Sequence, residues 1–133
     1  VRVVFADAFY FVARLNRRDQ YRGRVHEYMK DFEGRLVTTD WVLMEVLDAL
    51  TGSEIRDNLR DFILELRLSE SCEIIEASRE LFDRGLTFFH RHSDKAWTLT
   101  DCTSFVVMRD LGIKEALTGD KHFEQAGFTA LLK

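Results

Sequence analysis

The chain has no proline and only two cysteines in its 133 residues. Without proline, element ends must be read from glycine and from capping side chains. Cys72 and Cys102 make neither a disulfide framework nor a zinc pattern, and they read as reduced, small, buried residues of a cytosolic protein. No apolar run approaches the ~18 residues of a membrane span. Arg2, Asp7 and Arg14 interrupt the apolar N-terminus, so no signal peptide is expected there. A cytoplasmic location with no membrane contact follows as the expectation. Positive charge is also scarce: 23 acidic side chains face 19 Lys and Arg, a net charge of -4. That excludes a bulk electrostatic binder of nucleic acid. It does not exclude an enzyme acting on one, because metal ions at an acidic site can supply the positive charge that a phosphate needs.

What is present is a foldable composition. Hydrophobic residues make up 46% and charged residues 32%, which rules out a disordered chain. The length suits one domain over 1–133, burying roughly two-thirds of its unfolded surface. Residues 1–6 form a β-branched apolar run that reads as a buried strand. Further strands are expected at 35–38, 72–75, 115–118 and 128–132. Helices are expected at 8–16, 17–32, 39–49, 55–68, 78–90, 100–110 and 121–125, with Gly112 as a C-cap. Strands alternating with helices imply a parallel sheet covered on both faces.

Ligands of such sheets sit outside the carboxyl ends of the strands. Asp7 follows the first strand and Asp120 lies just past the strand ending at Thr118. Asp101 opens a helix, where Thr98-Leu99-Thr100-Asp101 matches a capping box. Each of these acids alone reads most simply as a helix cap. Glu45 does not. It borders the apolar stripe of Val42, Leu43, Val46, Leu47 and Leu50, and residues 38–52 contain no basic side chain to pair with it. If these acids converge, their repulsion raises their pKa values, and a hard divalent cation relieves it. Mg²⁺ or Mn²⁺ suits oxygen ligands, and the chemistry that follows is metal-assisted phosphodiester hydrolysis.

Four blocks carry a resemblance to a known family: VVFADAFYFVARLNRRDQ from Val3, LVTTDWVLMEVLDAL from Leu36, WTLTDCTSFVVMRDLGI from Trp97 and ALTGDKHFEQAGFTALL from Ala116. In this order, over essentially the whole chain, they resemble PIN-domain nucleases, specifically the VapC-type toxins of type II toxin–antitoxin systems. The resemblance implies a PIN-like three-layer α/β/α sandwich with a short, mostly parallel sheet. It implies a Mg²⁺- or Mn²⁺-dependent endoribonuclease, commonly a homodimer, silenced by a cognate antitoxin protein. Asp7, Glu45, Asp101 and Asp120 match the family's four acids. Asp7 and Asp101 are the expected principal metal ligands; Asp120 completes the pocket, and Glu45 orients water or binds a second ion. Thr38, Thr39, Thr98 and Thr118 are supports at most. Ala8 stands where relatives usually carry Thr or Ser, which predicts weaker orientation of the metal in a site otherwise intact.

Outside the acids, Arg14, Arg17, Arg18, Arg22 and Arg24 form a basic cluster that reads either as RNA or partner contact or as a solvated helix pair. His122 reads as a hydrogen-bonded turn residue, with substrate contact as its functional alternative. Trp41 and Trp97 read as packing. A non-catalytic PIN-like module that binds RNA or protein is the alternative function. A phosphotransfer enzyme with an aspartyl nucleophile fits poorly, because Asp7-Ala8-Phe9 lacks the second Asp of the dehalogenase-like pattern.

Overall fold

The run from Val3 becomes a central strand because both of its faces are covered: Val4, Phe5 and Ala6 are fully buried. In the computed structural model, which describes residues 1–133, five strands form one sheet. They are β1 (Val3–Ala6), β2 (Arg35–Thr39), β3 (Cys72–Ile75), β4 (Glu115–Leu117) and β5 (Thr129–Ala130). Their order is β3-β2-β1-β4-β5, and every adjacent pair is parallel, where the sequence implied a mostly parallel sheet.

Seven helices connect them: α1 (Ala8–Leu15), α2 (Arg22–Met29), α3 (Asp40–Ala49), α4 (Leu59–Leu68), α5 (Arg79–Arg91), α6 (Leu99–Leu111) and α7 (Lys121–Gln125). From β1 the chain steps outward to β2 and β3, then returns across the sheet to β4 and continues to β5. Right-handed crossovers in the two directions put α1–α4 on one face and α5–α7 on the other. The result is an α/β/α sandwich. Phe5, Phe105 and Phe123 meet in its core, with Phe105 edge-on to Phe123 at 5.0 Å between ring centroids. Cys72 and Cys102 are free and buried. No helix is long and apolar enough to cross a membrane.

Helix ends follow local chemistry. Thr39 and Ser78 cap α3 and α5 by accepting from Val42 N and Leu81 N. Gly112 and Gly127, at φ +67° and +96°, close α6 and α7. In both cases the N–H of the residue after the glycine donates to the carbonyl five positions back, Ile113 to Met108 and Phe128 to Phe123. That second closure takes the Phe128 N–H, so the last strand starts at Thr129 and spans two residues rather than 128–132. The helix expected over 17–32 is shorter, because Asn16 and Asp19 side chains accept from Arg18 N and Tyr21 N and turn the chain instead. The helix expected from residue 55 begins as a 3-10 turn, Arg56–Asn58, and becomes regular at Leu59.

Helices α5 and α6 approach closely at Gly85, where an added Cβ would stand 2.5 Å from Thr103 Cγ2. Overpacking costs about 1–3 kcal/mol, and alanine returns about 1 kcal/mol of helix propensity. Gly85→Ala is therefore expected to lower the urea midpoint. In a Thr103→Ser background, which removes that methyl and keeps the hydroxyl, the same change is expected to be neutral or stabilising.

Candidate active site

The register of β1 and β4 builds the first part of the site. Ala6 pairs with Leu117, so the next residues, Asp7 and Thr118, leave the sheet side by side. This is the switch point, where the chain leaves β1 toward one edge of the sheet and β4 toward the other. Thr118 Oγ1 donates to Asp7 Oδ2 at 2.8 Å and accepts from Asp120 N at 3.0 Å. One buried hydroxyl thus links the two acids that follow these strands. Asp7 occupies the N-cap position of α1 yet makes no side-chain cap bond. Its side chain is committed to the cleft.

Asp101 serves as cap and as site residue at once. The capping box is complete: Thr98 Oγ1 accepts from Asp101 N at 3.0 Å, and Asp101 Oδ2 accepts from Thr98 N at 3.1 Å. His122 Nδ1 reaches the same Oδ2 at 3.1 Å. Asp120 caps α7 through Oδ1, which accepts from His122 N at 2.9 Å. A pattern runs through the three aspartates. Each ties one oxygen to a protein donor and leaves the other without a protein partner. No side-chain polar atom is buried and orphaned, so the second oxygens keep contact with solvent.

Glu45, half-buried on α3, completes the set. Burial raises its carboxyl above the usual range, and the charges of Asp101 and Asp120 add to that. Burial likewise raises Asp101, against hydrogen bonds from Thr98 and His122 that favour its charged form. Asp7, only 6% exposed, is pushed up to about 7 by burial, opposed by the Thr118 hydroxyl and reinforced by the charges of Asp101 and Glu45. No Lys or Arg forms an ion pair with any of the four acids. Ligand atoms of Asp101, Asp120 and His122 lie within 4.8 Å of one another. Hard oxygen donors, mutually repelling and without a Lys or Arg partner, fit a divalent cation such as Mg²⁺ or Mn²⁺.

The four acids expected from the sequence therefore lie near enough for their charges to act on one another, with Asp101 and Asp120 in the group within 4.8 Å. The arginines do not join them. Arg14 donates to Tyr10 Oη at 2.9 Å, and Arg18 pairs with Glu54 on the surface. Arg14, Arg17 and Arg22 line a groove with Ile55, Leu59 and Phe62, and Arg24 ties α2 to Leu132 O at 3.1 Å. Trp97 is core, stacked near Phe88 and bonded through Nε1 to Gln125. Thr118 carries more than a support role, because it touches both Asp7 and Asp120. Its position in T-x-D was a visible signal, but only the β1–β4 register shows what it bonds. Thr38 bonds instead to Ala6 O, stitching β2 to β1 below the site.

A raised carboxyl makes the folded chain hold more protons than the unfolded chain between pH ~4 and ~7. Stability of the chelated protein is therefore expected to fall as pH rises through that window and to level off above it. Asp7→Asn is expected to flatten the profile, by on the order of 3 kcal/mol at neutral pH. Urea unfolding at several pH values, in EDTA, measures this. A wild-type profile that rises from pH 4 to 7 relative to the variant contradicts it.

Comparison with known proteins gives the family and the fold. The 23S rRNA-specific endonuclease VapC20 of Mycobacterium tuberculosis, in strains CDC 1551 / Oshkosh and ATCC 25618 / H37Rv, is 25% identical over 126 residues, covering 95% of each chain. The crystal structure of M. tuberculosis VapC20, described as a Sarcin-Ricin loop cleaving toxin, superposes with a TM-score of 0.87 at 24% identity, over 96% of this chain and 98% of that one. FitAcB from Neisseria gonorrhoeae shares the fold with a TM-score of 0.65 at 12% identity, over 96% of this chain and 94% of that one. So does a toxin-antitoxin complex from Klebsiella pneumoniae, at 0.62 and 12%, over 89% and 87%. The PIN domain matches residues 4–129, a span that contains all four acids, and the chain belongs to the PIN domain family.

Proposed function

We propose that this chain is a Mg²⁺- or Mn²⁺-dependent endoribonuclease, the toxin of a toxin–antitoxin pair, with Asp7, Glu45, Asp101 and Asp120 as its catalytic acids. The observation that carries the reading is the pattern at the three aspartates, each with one oxygen held by a protein donor and the other without one. A module that only binds has no use for like charges gathered at this electrostatic cost.

Asp7 and Asp101 would hold the ion, with Asp120 completing the pocket. When bound, the ion supplies positive charge against the scissile phosphate and makes water a competent nucleophile. Glu45, its carboxyl raised above the usual range by burial, orients the attacking water and receives its proton on a carboxylate oxygen. Water adds to phosphorus and the P–O3′ bond breaks; the departing O3′ takes a proton from solvent, leaving a 3′-hydroxyl and a 5′-phosphate. The 2′-hydroxyl takes no part. VapC20, a 23S rRNA-specific endonuclease, makes ribosomal RNA the first substrate to test. An antitoxin protein, a homodimer and a cytoplasmic location accompany the reading.

End-labelled ribosomal RNA incubated with the chain and Mn²⁺ is expected to give discrete cuts. EDTA abolishes them, and Asp101→Asn or Glu45→Gln slows them by about 10²-fold or more. Ends bearing 2′,3′-cyclic phosphate, or cutting unchanged in both variants, would overturn the proposal.

A further inference from the structure

Two donors from different elements converge on one oxygen of Asp101. Thr98 N comes from the start of α6, and His122 Nδ1 from the first turn of α7, each at 3.1 Å from Oδ2. The carboxylate torsion is soft and nearly two-fold. A second donor from a separate element fixes it better than the cap bond alone. The imidazole does not serve Asp120 in the same way, since Nδ1 stands 3.5 Å from Asp120 Oδ1, beyond a good hydrogen bond.

His122 is itself well placed for this task. Its backbone N–H is bound by Asp120 Oδ1 at 2.9 Å, and the next residue, Phe123, is fully buried against Phe5 and Phe105. The ring is mostly covered, with 19% of its side chain exposed. An ionised carboxylate oxygen only accepts hydrogen bonds, so Nδ1 carries the hydrogen in this contact. A nitrogen that carries hydrogen offers no lone pair to a metal ion and is already spoken for toward a substrate phosphate.

We infer that His122 is a positioning residue, whose Nδ1–H holds Asp101 Oδ2 so that Oδ1 is presented to the cleft as a single, oriented metal-binding oxygen. The metal part rests on the nuclease reading above; the hydrogen bond does not. Outer partners of this kind change metal affinity by about 10- to 100-fold when removed.

Two measurements test it. In ¹⁵N-labelled wild type in EDTA, with the imidazole neutral, long-range ¹H–¹⁵N spectra should show His122 as the Nδ1–H tautomer. The Nε2–H tautomer would overturn the inference without any variant having to fold. Calorimetry and Mn²⁺ resonance then compare His122→Ala with His122→Asn, whose amide can stand where Nδ1 stands. Alanine is expected to weaken Mn²⁺ binding by about 10- to 100-fold and to lower kcat at fixed Mn²⁺, with KM for RNA unchanged. Asparagine is expected to recover most of that loss. Wild-type Mn²⁺ affinity in the alanine variant, an asparagine variant as weak as alanine, or a shift in KM alone would each overturn it. If the wild type neither binds Mn²⁺ nor cuts RNA, the nuclease reading falls, and the tautomer still decides what His122 does.

Discussion

Like charges do not gather unaided, and the site depends on how this fold overcomes that repulsion. Burial and mutual repulsion raise Asp7, Glu45 and Asp101. What holds the aspartates is a small set of donors placed on the adjoining elements: Thr118 for Asp7, Thr98 and His122 for Asp101, and the His122 amide for Asp120. Each donor takes one oxygen and spares the other. The cluster is thus restrained without being neutralised, a combination that favours binding of a hard cation over an internal ion pair.

Topology puts those donors within reach. The parallel register of β1 and β4 makes Asp7 and Thr118 neighbours although they are far apart in sequence. The reversal of direction between the two halves of the sheet opens the cleft at this point. Helix α6 then delivers Asp101 by its N-terminus, where the backbone dipole also favours negative charge. Because the same carboxylate closes the capping box, stability and function share one side chain. The aromatic core of Phe5, Phe105 and Phe123 lies behind α6 and α7 and fixes their relative position.

The basic cluster illustrates a different division of labour. In an acidic chain, Arg14, Arg17, Arg18, Arg22 and Arg24 invite a nucleic-acid reading. In the fold, Arg14, Arg22 and Arg24 are drawn into bonds with Tyr10 Oη, Arg14 O and Leu132 O. Arg14, in the last turn of α1, stands about 10 Å along the helix axis from Asp7 by helical rise. Side-chain oxygens of Asn16 and Asp19 bend the chain there, which is also why the second helix is half the length that its composition suggested.

Much of the architecture was legible in the residues. Short apolar runs and helical spacing located all five strands and seven helical segments; three acids stood out after strands or at a helix start, and Glu45 by its place at the border of an apolar stripe. Those signals are local: they depend on side-chain period, capping chemistry and the glycines that end helices. The roles of Thr118 and His122 were not legible, since a threonine in a strand end and a histidine in a turn have many uses. Their partners, Asp7 and Asp101, are brought to them only by strand register and by the packing of α7 against α6. The sequence by itself determined which charges had to be accommodated. The tertiary structure alone decided which oxygen of each acid is restrained and which is left free, because hydrogen bonds between distant segments exist only once the sheet has set their separation.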